Sequence, residues 1–198
     1  MAQLSTKEIN KKRLLDQGVL MLTEQGYHGT GLKEILDVVK IPKGSFYNYF
    51  GSKEEYCADV ITHYIEPFLQ RLTVHLQNPE LNALVALNKY YGELIDELAQ
   101  SNFKGGCLLG NLMGEIGDTS EVCKRSLIKA VDRYSDIQEA ALVRGQEEGV
   151  VRKDRSAKSM ADLLINNWQG ALLRMKIEQS VQPLNEFCAT LLEDYFKA

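Results

Sequence analysis

Apolar side chains recur at steps of three and four residues along almost the whole chain. Between residues 84 and 98, for example, they fall at Leu84, Leu87, Tyr91, Leu94 and Leu98. Such steps place side chains on one face of an α-helix, whereas a half-buried strand needs strict alternation. No stretch rich in Val, Ile and Thr alternates in that way, and the 198 residues include only four prolines. The pattern therefore predicts an all-α fold.

Glycines, prolines and polar clusters divide this pattern into about nine segments. The predicted helices cover residues 5–25, 32–39, 43–49, 53–77, 80–100, 106–116, 120–148, 156–180 and 184–197. Neither an internal repeat nor a long linker interrupts them. The chain is therefore expected to form one large domain or two small ones.

The composition excludes several classes of protein. With 44% hydrophobic residues and a net charge of −4, the chain can bury a core but carries no uniform basic coat. No apolar run approaches the ~18 residues of a membrane span, and no signal segment is visible, so a cytoplasmic protein is expected. Residues 1–54 nevertheless hold eight basic against six acidic side chains, which leaves −6 on the remainder. A small basic head on an acidic body suggests a polyanion partner for the head alone.

The first three predicted helices differ strongly in length. A long helix precedes two short ones, which are joined by a turn at residues 40–42. Short helices are marginal alone because nucleation is costly, so the three must support one another. Thr30 is predicted as the N-cap of the second helix, and Pro42 lies at the start of the third, where its missing N–H costs nothing. This is the layout in which one helix enters a DNA major groove while the other braces it.

The third predicted helix carries what we call the reading edge. Phe46 and Phe50 lie four residues apart and share a face that can anchor in the core. The reading edge is the remaining set, which offers one charge, several hydrogen-bonding groups and a glycine: Lys43, Gly44, Ser45, Tyr47, Asn48 and Tyr49. Lys53 follows within reach of a phosphate. On the residues alone, DNA contact and an aromatic-rich core helix stay equal alternatives, because tyrosines also pack.

These residues carry a resemblance to a known family. The stretch from Leu14-Leu15 through Gly26-Tyr27, Thr30 and Ile35 to residues 42–54 (PKGSFYNYFGSKE) resembles the DNA-binding head of the TetR family of transcriptional regulators. The resemblance implies a helix-turn-helix DNA-binding domain at 1–53 and an effector-binding and dimerisation domain at 54–198. It further implies a homodimeric repressor that binds a palindromic operator and releases it when a small effector binds.

The resemblance also implies roles for single residues. Phosphate contacts would come from Thr30, Ser45, Tyr47, Tyr49 and Lys53, and base contacts from Lys43 and Asn48. Two positions depart from the family pattern. Gly31 stands where a second Thr or Ser is usual, which removes a possible phosphate contact. Lys40 stands where a turn glycine is common, so a strained or less sharp turn is expected.

Cys107 is the candidate sensor residue. Four cysteines, Cys57, Cys107, Cys123 and Cys188, lie far apart without CxxC spacing, so free thiols are expected. Two glycines precede Cys107, which places it in the first turn of a helix, where unpaired N–H groups favour a reactive thiolate. The alternative is a small buried hydrophobe. The Gly-Cys-Leu segment is similar to that of TetR regulators that control N-ethylmaleimide reductase and sense electrophiles through a cysteine at this place.

Other effector candidates rest on weaker signals. Asn111 and Glu115 lie four and eight residues beyond Cys107 and so share its helix face. Tyr91, Tyr134 and Trp168 are aromatic residues with a polar atom, although such residues more often belong to an apolar core. Neither a cofactor motif nor the spacing of a metal site is found, so no cofactor and no metal are expected.

The last two predicted helices, 156–180 and 184–197, are the candidate dimer contact. Their apolar stripes face either a second copy or the chain's own core. The stripes consist of Met160, Leu164, Trp168, Ala171, Met175, Leu184, Phe187 and Leu191. The helix at 53–77 would link signal and DNA, with Pro67 predicted to kink it.

An enzyme is the rival class. Cys107 as a nucleophile would need a base, and no His lies within thirty residues of it. The chain also lacks a P-loop, a nucleotide-binding glycine motif and GxSxG. A regulator is therefore expected instead of an enzyme, with a helical adaptor as the third class.

Overall fold

A computed structural model describes residues 5–103 and 105–198 of the chain. Within them lie nine α-helices: α1 (Thr6–Gly29), α2 (Leu32–Val39), α3 (Lys43–Phe46), α4 (Lys53–Gln77), α5 (Ala83–Gln100), α6 (Leu108–Ile116), α7 (Glu121–Glu147), α8 (Ala157–Glu178) and α9 (Gln182–Phe187). A π-helical segment, Cys188–Tyr195, continues α9. The all-α prediction is confirmed. None of these helices is both long and apolar enough to cross a membrane.

Three predicted boundaries are wrong for local reasons. The reading edge was assigned to a helix ending at residue 49, but α3 ends at Phe46 and the chain continues in tight turns, with Asn48 N–H bonded to Ser45 O at 3.1 Å. Helix α5 begins three residues later than predicted, because the Asn82 side chain caps it by accepting from Val85 N–H. Helix α1 continues to Gly29 across a non-helical residue, Gly26.

The chain forms two compact units. Unit 1 contains residues up to Glu66 together with Cys107–Ala130, and unit 2 contains Pro67–Gly106 and Val131–Ala198. Unit 1 therefore holds α1–α3, the first part of α4, α6 and the start of α7. The functional division at residue 53 stays a prediction, and so does the kink at Pro67, which lies inside α4.

Unit 1 is built around the first helix. Leu14 and Leu22 of α1 and Ile35 of α2 are almost completely buried. Hydrogen bonds to main-chain carbonyls tie the helices together: the Arg13 guanidinium donates to Val39 O at 2.8 Å, and the Tyr56 hydroxyl to Leu14 O at 2.6 Å. The N-terminal helices therefore form one supported body, as their short lengths require.

Unit 2 has an aromatic core contributed by α5, α8 and α9. The rings of Tyr91, Trp168 and Phe187 lie 4.8–5.2 Å apart in edge and tilted arrangements, which suit aromatic pairs. All eight apolar residues that the sequence offered as a dimer stripe are buried in this single chain. The dimer interpretation of that stripe is therefore corrected: these side chains fill the protein's own core, and a second copy would need another face of the same helices.

Candidate nucleic-acid interface

A left-handed residue turns the chain between α2 and α3. Lys40 has φ 55° and ψ 45°, and its N–H bonds to Leu36 O. A residue with a side chain adopts this conformation at a cost of about 1–2 kcal/mol, so the strain expected from the absent glycine is present. Pro42 then occupies the N-cap of α3 in an extended conformation. The turn thus directs α3 away from α2 within a few residues.

Two buried aromatic rings hold the reading edge in place. Phe46 is 0% and Phe50 3% exposed, and their ring centroids lie 5.1 Å apart. Both rings also pack against Tyr56 of α4, at 5.3 and 4.9 Å. The prediction that these two phenylalanines are core is confirmed. Their anchoring fixes the direction in which the intervening side chains project.

The reading edge itself is largely accessible. Lys43, Gly44, Tyr47 and Asn48 are exposed, Tyr47 at 51%, whereas Ser45 and Tyr49 are half-buried. An exposed tyrosine of this kind, in a turn fixed by buried rings, is not part of an aromatic core. The structure therefore excludes the alternative in which residues 43–49 are a core helix.

Gly44 is not required by the fold. A Cβ added there would meet no atom within 4 Å, and its backbone lies outside the left-handed region. Glycine in a helix costs roughly 0.5–1 kcal/mol relative to alanine. Gly44 lowers helix stability although a larger side chain would fit there. We take this as an indication that a partner molecule approaches the backbone of Gly44 closely.

Thr30 does not cap α2. Gly31 is the N-cap, and Thr30 ends α1, fully buried, with its hydroxyl donating to Gly26 O at 2.6 Å. The N-cap prediction is therefore wrong, because α2 begins at Leu32 and the residue directly before it is Gly31. The predicted phosphate contact of Thr30 would require its buried hydroxyl to leave Gly26 O.

Lys53 is also occupied within unit 1. Its ammonium donates to Tyr27 O at 2.7 Å and lies 4.2 Å from the centre of the Tyr27 ring. Burial lowers the pKa of this ammonium. Lys53 thus ties the start of α4 to the end of α1, and its predicted phosphate contact would compete with this bond.

A carboxylate fork, which the sequence did not reveal, joins α6 to α1. Gly26 has φ 74° and ψ −179°, which interrupts α1 and frees the next two N–H groups. Glu115 accepts both, from Tyr27 N–H and His28 N–H, at 2.7 Å each. Free N–H groups at the start of a helical turn bind anions, and here the anion is the carboxylate of Glu115, 88 residues after Tyr27 in the sequence. Glu115 therefore fixes the end of the helix that Lys53 also binds.

Comparisons with known proteins decide the family. The model of the bacterial regulatory proteins of the tetR family matches residues 14–56, and that of the tetracyclin repressor-like C-terminal domain matches residues 83–191, more than half of the chain. The chain belongs to the TetR family. It is 31% identical to the HTH-type transcriptional repressor DhaR of Mycobacterium sp. strain GP1 over 92% of this chain and 90% of that one.

Two further comparisons concern one regulator. The HTH-type transcriptional repressor NemR of Escherichia coli K12 is also 31% identical, over 93% of this chain and 92% of its own. The crystal structure of the reduced form of E. coli NemR superposes with a TM-score of 0.88, covers 96% of this chain and 97% of that chain, and is 30% identical. The chain is thus a DNA-binding transcriptional regulator with the two-domain TetR fold.

The sensor candidates of this TetR-family chain fall into two groups. Cys107 is half-buried and is the N-cap of α6, one residue before the predicted first turn. Asn111, on the same helix, donates to Thr23 O at 3.2 Å, and Glu115 forms the fork described above. The polar side chains of Asn111 and Glu115 therefore bind α1. An effector that binds to them, as predicted, would have to compete with these hydrogen bonds.

The second group lies in unit 2 and includes a residue that sequence reasoning missed. Tyr91 is buried and Tyr134 half-buried, and the Tyr134 hydroxyl donates to Tyr90 at 3.0 Å. Gln138, also fully buried, lies beside Tyr91, yet neither its amide nor the Tyr91 hydroxyl forms a well-directed hydrogen bond to the described residues. Burial raises the pKa of Tyr91. We call Tyr90, Tyr91, Tyr134 and Gln138 the buried polar cluster; Trp168 packs against it through Tyr91.

No group of three or more His, Cys, Asp or Glu side chains in the described part of the chain could hold a metal ion.

Proposed function

We propose that this regulator is a cytoplasmic repressor that binds a palindromic operator as a homodimer. The observation that carries the proposal is the reading edge, which is exposed along Lys43, Gly44, Tyr47 and Asn48 and fixed from behind by Phe46 and Phe50. Its approach to a duplex is supported by the open space at Gly44. The relatives DhaR and NemR are named as repressors, which favours repression.

The reading edge has two chemically different parts. Hydroxyl groups such as those of Ser45, Tyr47 and Tyr49 suit phosphate oxygens, which set the register of a protein on DNA. The Asn48 amide can pair with the edge of adenine, and the Lys43 ammonium with that of guanine, which specifies sequence. This division of roles is the part of the proposal that mutagenesis can test.

Two substitutions should separate these roles. Tyr47→Phe removes one hydroxyl and is expected to weaken binding to all duplexes alike, whereas Asn48→Ala is expected to cost about 1–3 kcal/mol at one base pair and relax the preference there. The measurement is a selection from randomised duplexes, followed by fluorescence-anisotropy titration of the enriched site. An unchanged set of selected sites for Asn48→Ala would show that Asn48 does not read a base.

The proposed dimer contact is an exposed face of α8. Asn166, Gly170, Leu173 and Ile177 lie on one side of this helix, and we call them the α8 stripe. Leu173 is 58% and Ile177 83% exposed, and a surface groove between α8 and α9 adjoins them. Large exposed apolar residues at helical spacing suit an isologous contact, in which each copy offers the same helix.

The effector proposal rests on the buried polar cluster. The Gln138 amide offers a donor and an acceptor, and the Tyr91 hydroxyl offers both, with neither well satisfied by the described residues. Unsatisfied buried polar groups are costly, so an uncharged molecule that both donates and accepts hydrogen bonds would be stabilised there. Such an effector releases DNA only if it binds the DNA-free conformation more tightly.

Cys107 offers a second route for the signal, through reaction with an electrophile or oxidant. This route is supported by the position of Cys107 at the N-terminus of α6, the helix whose Asn111 and Glu115 side chains bind α1. Native mass spectrometry of the purified protein distinguishes the routes, since a non-covalent ligand dissociates on denaturation and an adduct on Cys107 persists. A Cys107 that resists alkylation in the folded protein would favour the alternative, a structural thiol beside a non-reactive pocket.

A thiol-dependent enzyme is the other candidate class. The relatives reported above are transcriptional regulators, which supports regulation over catalysis.

A further inference from the structure

Two cysteines that the proposed function does not use are brought together in unit 1. Cys57 lies in the second turn of α4 and Cys123 in the first turn of α7, and both are 0% exposed. The Cys123 sulfur lies 3.6 Å from Glu54 O, which is one turn before Cys57. A helical side chain leans toward the preceding turn, so the Cys57 thiol points to the same place. The two thiols are therefore neighbours, and each shifts the pKa of the other.

The two sulfurs are electrostatically unequal. The hydrogen bond from Cys57, together with one from the Ser120 hydroxyl, lowers the pKa of Cys123. The same hydrogen bond, and then burial, raise the pKa of Cys57. Cys123 also lies in the first turn of a helix of 27 residues, where the dipole favours negative charge. One sulfur is therefore suited to attack, and the other is a protonated neighbour in contact with it.

We propose that Cys57 and Cys123 are an oxidation site, at which a small peroxide forms a reversible disulfide that weakens operator binding. A low-pKa cysteine beside a second cysteine is the arrangement in which a first oxidation is trapped as a disulfide. Because both sulfurs are buried, the oxidant must be small and uncharged, as hydrogen peroxide is. Bulky electrophiles react first at half-buried Cys107.

The reaction balances in two steps. The Cys123 thiolate attacks one oxygen of hydrogen peroxide, the O–O bond breaks, and a sulfenic acid and hydroxide form. The Cys57 sulfur then attacks the Cys123 sulfur and forms the S–S bond, while the S–O bond breaks. The oxygen leaves as water with the proton that Cys57 releases. Two thiols are oxidised and one peroxide is reduced to water.

The location of the site connects it to the reading edge. A disulfide holds its sulfurs about 2.05 Å apart, closer than two hydrogen-bonded thiols, so the first turns of α4 must shift. Lys53 and Tyr56, in those same turns, donate to Tyr27 O and Leu14 O of α1, and Tyr56 packs on Phe46. A shift of α4 therefore displaces the aromatic support of the reading edge.

The test uses the full chain with Cys107→Ser and Cys188→Ser, which leaves only the pair. The protein is treated with hydrogen peroxide, denatured and then alkylated. We expect neither Cys57 nor Cys123 to be alkylated, and the protein to be two hydrogens lighter than the reduced, unalkylated form. Tryptic peptides 54–71 and 105–124 should be linked, and dithiothreitol should release them. The affinity for the selected operator should fall by about tenfold or more and recover on reduction.

A matched variant that also carries Cys57→Ser should form no link and keep its operator affinity after the same treatment, with a sulfenic acid on Cys123 that dimedone traps when it is added together with the denaturant. The inference would be overturned if Cys57 and Cys123 both remained free thiols after peroxide treatment. It would also be overturned if the disulfide formed and the operator affinity did not change. Only the DNA readout rests on the proposed function. If the reduced protein selects no duplex, the proposed function fails while the peptide link still decides whether the site exists.

Discussion

Gly26→Ala is expected to destabilise unit 1 by about 3 kcal/mol or more. The residue has φ 74° and ψ −179°, a region open almost only to glycine. A Cβ there would lie 2.5 Å from Oε2 of Glu115 and force the carboxylate away. The N–H groups of Tyr27 and His28 would then lose a charge-assisted acceptor. Urea unfolding, followed by circular dichroism, measures the loss.

A matched substitution on the same helix provides the control. A Cβ at Gly29 would meet only the Gln25 Cβ at 3.4 Å, and its φ is not left-handed, so Gly29→Ala should change stability by less than about 1 kcal/mol. Glu115→Ala alone should be destabilising, and the double variant with Gly26→Ala should lose less than the two single losses together, because the clash is gone. Strict additivity would show that Gly26 and Glu115 do not act on each other.

Leu173→Glu with Ile177→Glu is expected to dissociate the dimer and reduce operator affinity by more than about 10³-fold. In an isologous contact each substitution occurs twice, so four carboxylates would be placed in a desolvated interface. A monomer engages only one half-site and loses the linked second contact. Light scattering after size exclusion gives the mass, and anisotropy gives the affinity. Circular dichroism should show an unchanged helix content.

Val74→Glu supplies the comparison for the dimer variant. Val74 is 62% exposed, similar to Leu173, but lies on α4. Its substitution should leave both the dimer mass and the operator affinity unchanged. A dimer that survives both changes in the α8 stripe would place the contact elsewhere.

Local sequence patterns predicted the elements whose causes are local. The four-residue spacing of Phe46 and Phe50 identified a buried face, and three- and four-residue steps identified the helices. The strain at Lys40 followed from a missing glycine in a turn. In each case, the residues that determine the structure lie within one or two turns of each other.

Contacts between distant segments were not predictable in this way. The sequence places Glu115 on an effector face, and its actual partners, the N–H groups of Tyr27 and His28, lie 88 and 87 residues away. The approach of the Cys123 sulfur to Glu54 O and the burial of the Gln138 amide depend on how separate helices pack. The apolar spacing of α8 predicted one stripe of residues but could not decide whether a second copy or the chain's own core covers it.

Selection by the wild-type protein from a pool of randomised duplexes tests most directly whether residues 43–49 of two subunits read one duplex. We expect an enriched inverted repeat whose half-site centres lie about one helical turn, or a multiple of one turn, apart. If roughly six to ten phosphates are neutralised per dimer, the affinity should fall by roughly 10³–10⁵ between 50 and 200 mM salt. Recovery of no sequence, or of a single unpaired half-site, would contradict reading by two subunits.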